Sequence, residues 1–306
     1  MQVQQWPSLS AQLTLSKRLF GVTGPELLQN WLDDQAARIN DLAFARLFSA
    51  HITLPGISEQ DFNHRHVTAQ NGSLLGGIRF FGGNAERPFV ELIAHTFQES
   101  AGGIEALASL VRSEWRAFKP ENMRLLLTPE QLNSFESAQS AFIDMSIHAA
   151  RYEDIKKPNG RVELATFNNA TAAIEIVEQR YRDVSEHDPD LAQNISAADP
   201  QDVQEWYDAG QIQAITAKDK TVGLLAIAPG NIEWMTGDEV NEEVISTPHT
   251  GKGYASEAQK AWAEQAQDQD KLLLGTIDRL NPASRKTAEA VGRKAVLNYV
   301  FISLSR

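Results

Sequence analysis

The residues with the most chemical content lie between positions 242 and 292. Val244-Ile245-Ser246-Thr247-Pro248-His249-Thr250-Gly251-Lys252-Gly253-Tyr254-Ala255 reads as a strand, a glycine-containing loop and the start of a helix. Glycines at 251 and 253 let the backbone take positive φ and come close to a ligand. The N–H groups of such a loop, with those of the helix behind it, form an anion site suited to a pyrophosphate. A bare Gly-x-Gly also serves as a tight turn with no ligand at all. Two better-known phosphate motifs do not fit. A dinucleotide fingerprint opening at Gly251 needs glycine or alanine where Ser256 stands. A P-loop ending at Lys252 needs glycine where Ser246 stands and serine or threonine where Gly253 stands. Downstream, Asn281-Pro282-Ala283-Ser284 opens another helix, and alone it reads as an N-cap with proline at the first helical position. Upstream, Glu242 and Glu243 are neighbours on a strand, so only one can face a given cleft. Such a carboxylate is either a general base or a solvated charge beside a loop.

These groups need a scaffold, and the hydrophobic pattern supplies one. In the second half, strands are expected over 161–167, 211–218, 221–229, 240–246, 271–277 and 296–304, with helices over 170–184, 200–209, 255–266 and 282–291. The order is β-α-α-β-β-β-α-β-α-β. The first half reads in a similar order, with a helical stretch over 25–48 and strands over 62–68, 72–81, 89–97, 123–127 and 142–149. Helices are expected at 104–118 and 129–137. The fold class is therefore α/β, of the α+β type with a mixed sheet. Lys156-Lys157-Pro158-Asn159-Gly160 is the clearest seam, giving domains 1–157 and 158–306.

The chain has 306 residues, 28 Lys+Arg, 40 Asp+Glu and no cysteine. A net charge of −12 argues against general nucleic-acid binding, which wants a basic face. Lack of cysteine removes thiol nucleophiles and cysteine zinc sites. No run is long and apolar enough to span a membrane and no signal peptide is visible, so a cytoplasmic protein is expected. His64-x-His66 lacks a third ligand at a metal spacing, and no metal is expected.

Thr250-Gly251-Lys252-Gly253-Tyr254-Ala255 resembles the acyl-CoA loop of the GNAT N-acetyltransferase superfamily, Gln/Arg-x-x-Gly-x-Gly/Ala, with Thr250 departing from the first position. Asn281-x-x-Ser284 with Gly292 is similar to the signature of the ribosomal-protein N-acetyltransferase branch. Arg293 stands where that branch has an aromatic residue, and Ala288 where other branches have a tyrosine acid. The resemblance covers roughly 160–304. It implies a GNAT acyl-CoA N-acyltransferase fold, with 158–306 the catalytic domain and acetyl-CoA the cosubstrate. Residues 1–157 would form a degenerate GNAT-like domain or an unrelated α/β accessory domain. Tandem GNAT-like domains would make the chain a monomeric pseudo-dimer, or it would be a homodimer.

The resemblance also distributes roles. Val244, Ile245 and Ser246 would offer backbone N–H groups to the thioester carbonyl, and Thr250 to Ala255 would cradle the pyrophosphate. Asn281 and Ser284 would lie by the pantetheine arm, with Ser284 the candidate acid and Tyr299 a weaker one. Glu242 or Glu243 would be the base, with His249 more a loop side chain. The first half's counterpart loop, Gln98 to Gly103, lacks the glycine register and carries Glu99, so no acyl-CoA is expected there. The acidic stretches 183–190 and 237–243 would favour a cationic amine, if they line the acceptor site rather than the solvated surface. The competing reading is a non-catalytic acyl-CoA-binding or protein-interaction module. Aminoacyl transfer from tRNA is disfavoured by the acidic charge.

Overall fold

A computed structural model describes residues 1–135 and 141–305. The chain divides into two compact units. One holds Met1–Met145, Glu233–Met235 and Val296–Arg306, and the other Ser146–Ile232 and Thr236–Ala295. The seam expected at 157/158 therefore falls inside the second unit, and the chain's last eleven residues belong to the first.

The elements run in chain order: α1 (Ser10–Phe20), α2 (Gly24–Ala37), α3 (Leu42–Ser49), β1 (Arg65–Ala69), β2 (Gly72–Phe80), β3 (Pro88–His95), α4 (Ala101–Glu114), β4 (Asn122–Leu127), α5 (Pro129–Phe135) and β5 (Ala141–Arg151). Then come β6 (Glu163–Ala165), α6 (Ala170–His187), α7 (Pro189–Ala192), α8 (Pro200–Asp208), β7 (Ile212–Ala217), β8 (Lys220–Ile232), β9 (Met235–Ile245), α9 (Tyr254–Gln265), β10 (Leu272–Asp278), α10 (Pro282–Val291) and β11 (Lys294–Ser303). The α/β class and the mixed sheet are those expected, and the element order of the second half is too, except for the added short helix α7. The helical stretch expected over 25–48 is two helices, because Asp41 turns extended and its carboxylate caps α3 through Ala43 N–H and Phe44 N–H. The last residues of the helix expected over 129–137 lie outside the described residues. Helix α1 is not legible as a helix from its sequence pattern.

In the first unit the strand order is β1-β2-β3-β4-β11, and β11 runs antiparallel to β4 with Tyr299 opposite Leu126. Strands β3 and β4 are parallel and pair at Phe89↔Asn122, Val90↔Met123 and Glu91↔Arg124. Both run on past those pairs. There, side chains of the N-terminal segment take their backbone groups: Ser8 Oγ accepts from His95 N–H (2.8 Å) and Gln12 Nε2 donates to the Leu126 carbonyl (3.0 Å). The apolar core gathers Leu74, Ile78, Val90, Leu107, Val111, Trp115, Met123 and Val300, all fully buried. Fully burying such side chains contributes ~1.5–3 kcal/mol each before entropy is counted.

In the second unit the order is β10-β9-β8-β7-β6. Strand β9 is clamped to β8, with Ser246 N–H donating to the Val222 carbonyl at 2.9 Å. Gly223 makes that approach possible, because a Cβ there would lie 2.0 Å from the Val244 carbonyl oxygen. Backbone cannot give way as a side-chain tip can. Gly223→Ala is therefore expected to destabilise the protein by about 3 kcal/mol, the upper range of ordinary overpacking. Chemical denaturation checks this, and a loss under ~0.5 kcal/mol would refute the clash. On its other edge β9 pairs with β10 in parallel at Asp238↔Leu273 and Glu239↔Leu274. Both strands continue beyond those pairs, β9 to Ile245 and β10 to Asp278.

Candidate active site

Strand β9, the loop behind it, α9 and the N-terminus of α10 enclose a cavity of about 560 Å³ in the second unit. Its lining includes Glu242, Glu243, Val244, Ile245, Thr250, Gly251, Lys252, Gly253, Tyr254, Ala255, Asn281 and Ser284. The loop and the Asn281 motif, about thirty residues apart in sequence, thus meet on one cavity. Ser246 is the exception. It does not line the cavity, and its N–H is spent on Val222, so it is not free for a carbonyl oxygen. Tyr299 is absent too. It lies in the first unit, where its hydroxyl donates to Glu233 Oε1 at 2.5 Å.

The loop geometry explains its glycines. Gly251 and Gly253 sit at φ 74° and 73°, in the left-handed region that costs a side chain roughly 1–2 kcal/mol. Space is not the constraint. A Cβ on Gly251 would meet nothing within 4 Å, and one on Gly253 would approach only Arg161 Nη2 (3.5 Å) and Ser256 Oγ (3.8 Å). Gly253 is also the N-cap of α9, and no side chain caps that helix. Its first N–H groups are therefore left for a ligand. In the first unit the corresponding helix α4 is capped by Ser100, whose Oγ accepts from Gly103 N–H. Around the loop of the second unit stand Lys252, Lys286 and Arg180, and Arg180 Nη1 donates to Thr247 Oγ1 at 3.3 Å. Arg161 and Arg180 could not be read as loop cations from the sequence, because both sit on distant segments.

The paired glutamates diverge as strand alternation requires. Glu242 is buried; Tyr181 Oη of α6 donates to its carboxylate at 3.2 Å, and so does Ala198 N–H, in the loop before α8, at 3.2 Å. Burial pushes its carboxyl above the ordinary glutamate value, against the pull of those donors. Tyr181 stays protonated, held up by burial and by the Glu242 charge. Glu243 faces α9. It accepts from Gln259 Nε2 (2.9 Å), and Gln259 Oε1 accepts from Arg293 Nη1 (2.9 Å). Arg293, 2% exposed, sits in the position where the family pattern wants an aromatic residue. Gly275 makes room for it, since a Cβ there would come 2.4 Å from Arg293 Nη2. Burial pulls Arg293 down to about 10 while the Glu243 charge resists.

Asn281 is the N-cap of α10, its Oδ1 accepting from Ser284 N–H at 3.0 Å. The bland cap reading of this pair is thus fulfilled, yet both side chains line the cavity, and no described residue bonds Ser284 Oγ. His249 lines the cavity in the loop.

Of the acidic residues in the two stretches expected to line the acceptor site, only Glu242 and Glu243 reach the cavity. Among residues 183–190, only Val184 lines the cavity. Helical periodicity turns Tyr181 and Val184 inward and Asp183 outward, onto Gln179 and Thr247, while Asp188 caps α7. Asp238 instead joins Tyr152 and Lys271 beside a different cavity. The end of the cavity nearest α6 is lined by Val184, Leu191, Ile195, Tyr181, Arg180 and Glu242. Among the described residues, no group of three or more His, Asp or Glu could hold a metal, and no helix is long and apolar enough to cross a membrane. His64 bonds Gln35 and Arg79, while His66 packs edge-on to Trp6, so the two rings do not converge.

No protein-family model matches the chain, and no curated protein matches it. Among solved structures it is similar to an acetyltransferase from the GNAT family from Colwellia psychrerythraea. That match has 10% identity and a TM-score of 0.49, and it covers 89% of this chain and 97% of that one. It is also similar to a tandem GNAT protein from the clavulanic acid biosynthesis pathway (11% identity, TM-score 0.44, 100% and 98% covered). A third is a GCN5-related N-acetyltransferase from Kribbella flavida (15% identity, TM-score 0.42, 86% and 96% covered).

Proposed function

We propose that the second unit is an acetyl-CoA-dependent N-acetyltransferase. The observation that carries this reading is the convergence of three parts on one cavity: an uncapped helix N-terminus behind two left-handed glycines, the end of strand β9, and a buried glutamate. The loop N–H groups with Lys252 and Arg180 bind the pyrophosphate. Asn281 and Ser284 flank the pantetheine arm. The end of β9 at Val244 and Ile245, which lines the cavity, offers backbone N–H groups to the thioester carbonyl, and these stabilise the oxyanion. Glu242, directly or through one water, takes the proton from the attacking ammonium. The neutral amine nitrogen bonds the acetyl carbon, the C–S bond breaks, and the second proton that nitrogen sheds passes to the departing thiolate, which Ser284 Oγ–H hydrogen-bonds, leaving the amide and a free thiol. Glu243, on the opposite face, acts through Gln259 and Arg293 to hold β9 in place.

The apolar acceptor wall favours an amine attached to an apolar group over a polycation. The first unit carries no acyl-CoA in this reading, because Ser8 and Gln12 take backbone groups at the ends of β3 and β4 and Ser100 caps its helix.

The test is calorimetric titration with acetyl-CoA followed by an amine screen that sets aliphatic and aromatic amines against polyamines. Binding and transfer to the former are expected. Binding without transfer to any amine would favour the non-catalytic reading, which Thr250 and Ala288 motivate. Ser284 donates a hydrogen bond rather than a low-pKa proton, so Ser284→Ala is expected to lower kcat only about tenfold, the worth of one such bond. A thousandfold loss would make it the essential acid.

A further inference from the structure

A separate cavity of about 140 Å³ lies in the first unit. It is lined by Trp31, Gln35 and Arg38 at the end of α2, Arg79 of β2, Glu91 to Ile93 of β3, Arg124 and Leu126 of β4, and Glu233. The proposed acetyl transfer uses none of these residues.

Its charges are unevenly matched. Arg124 bonds Glu91 Oε2 through Nη2 at 2.6 Å and Asp144 Oδ2 through Nη1 at 3.1 Å. Glu233 has both oxygens filled, by Tyr299 Oη at 2.5 Å and Trp31 Nε1 at 2.9 Å. Arg38 and Arg79 have no carboxylate oxygen within 4 Å among the described residues. Their hydrogen bonds go to neutral acceptors. Arg38 Nη1 donates to Gln35 Oε1 (2.9 Å), and Arg79 donates to the Ile78 carbonyl (2.7 Å) and to His64 Nε2 (2.6 Å). His64 can accept there because its Nδ1–H is given to the Gln35 carbonyl and burial pulls its pKa to about 3, so it stays neutral. Both guanidiniums stack on Phe44, at 4.8 and 5.3 Å from the ring centre. Stacking orients them without neutralising them.

Two half-buried like charges held close together are costly without a counter-charge. Burial and the repulsion of Arg38 and Arg124 bring Arg79 down to about 10, while Glu91 and Glu233 resist from longer range. A free acceptor stands opposite. Glu91 is 8% exposed, and its Oε1 has no partner among the described residues, since Oε2 takes both Arg124 contacts. Glu233 is held at φ 55°, a strained conformation for this residue that persists where surroundings fix it. At ~30 Å³ per water, the cavity volume equals about five waters, or a ligand of about five heavy atoms.

We propose that this cavity binds a small carboxylate that also carries an amino or hydroxyl donor. The carboxylate meets the Arg38 and Arg79 guanidiniums, which suit it in geometry and charge. The donor meets Glu91 Oε1.

The experiment is calorimetric titration of the full chain at low ionic strength with glycine, glycolate, acetate and inorganic phosphate. The variants are Arg38→Gln, Arg79→Gln and Lys252→Ala, each checked for folding by its thermal melt. Glycine or glycolate is expected to saturate one site, more tightly than acetate or phosphate. That site should weaken at least tenfold in Arg79→Gln or Arg38→Gln and be unchanged in Lys252→Ala, which alters the loop of the second unit. Should Arg79→Gln fail to fold, Arg38→Gln, whose bonds are fewer, decides. No saturable binding of glycine or glycolate overturns the proposal. So does binding that survives in every folded arginine variant, or phosphate binding more tightly than both.

Discussion

Glu242→Gln lowers kcat by about 10²–10⁴-fold, the usual worth of a positioned general base. The apparent KM for acetyl-CoA stays nearly unchanged. The direction follows from placement. Glu242 lies on the α6 side of β9, against Tyr181, and its neighbour faces Gln259 of α9. Glutamine keeps the size of the side chain and can still accept from Tyr181 and Ala198, so the fold should survive the change. The pH profile gives the sharper test. Only the ionised carboxyl accepts a proton, and burial raises the pH at which Glu242 ionises. Activity should therefore rise through a limb centred above the ordinary glutamate value of 4.5 and be flat above it. The variant should lack that limb. A substrate amine that must itself lose a proton adds a second limb at higher pH, and that one stays in the variant. Glu243→Gln should keep the acidic limb and act through stability, because its carboxylate compensates the buried Arg293 by way of Gln259. If Glu243→Gln rather than Glu242→Gln removed the limb, the assignment would be reversed.

The difference between what the sequence reveals and what it hides follows the range of the interactions. Gly251, Gly253, Asn281 and Ser284 act through local backbone geometry, which local spacing encodes, so both motifs stand out in the amino-acid sequence alone. Strand alternation likewise separates Glu242 from Glu243, though not which of them faces the acceptor. That depends on Tyr181, about sixty residues away on α6. The acidic stretch at 183–190 misleads for a related reason. Its charge is plain in the sequence, but its direction is set by the phase of α6 against the sheet and by Asp188 leaving to cap α7. Arg293 shows the same limit. As a departure from a family pattern it resembles a defect, yet Gly275, Gln259 and Glu243 accommodate it at full burial. The placement of β11 beside β4 is hidden as well. Its alternation predicts a buried strand, but strand partners far apart in sequence leave no local trace.

Gly253→Glu weakens acetyl-CoA binding at least a hundredfold, about 2.8 kcal/mol at 1.4 kcal/mol per decade. Two costs combine in that figure. The left-handed φ of 73° costs any side chain roughly 1–2 kcal/mol, part of which is relieved by distorting the loop that must cradle the phosphates. A carboxylate at the N-cap then competes for the α9 N–H groups that the pyrophosphate needs, and it places negative charge against negative charge. Gly253→Ala separates the two, because it carries the conformational cost without the charge. It should lie between wild type and Gly253→Glu, weakening binding about tenfold. The carboxylate component is also screened by salt, so the gap between the two variants should narrow as ionic strength rises. Calorimetry at low and high salt reads all of this on the full chain. The same conformational cost falls on the free protein, so the melting temperature should fall by a few degrees while the fold survives. Acetyl-CoA binding left intact in Gly253→Glu would remove the loop from the cosubstrate site. Intact binding in Gly253→Glu but lost in Lys252→Ala would place the pyrophosphate on side chains instead of on the helix N-terminus.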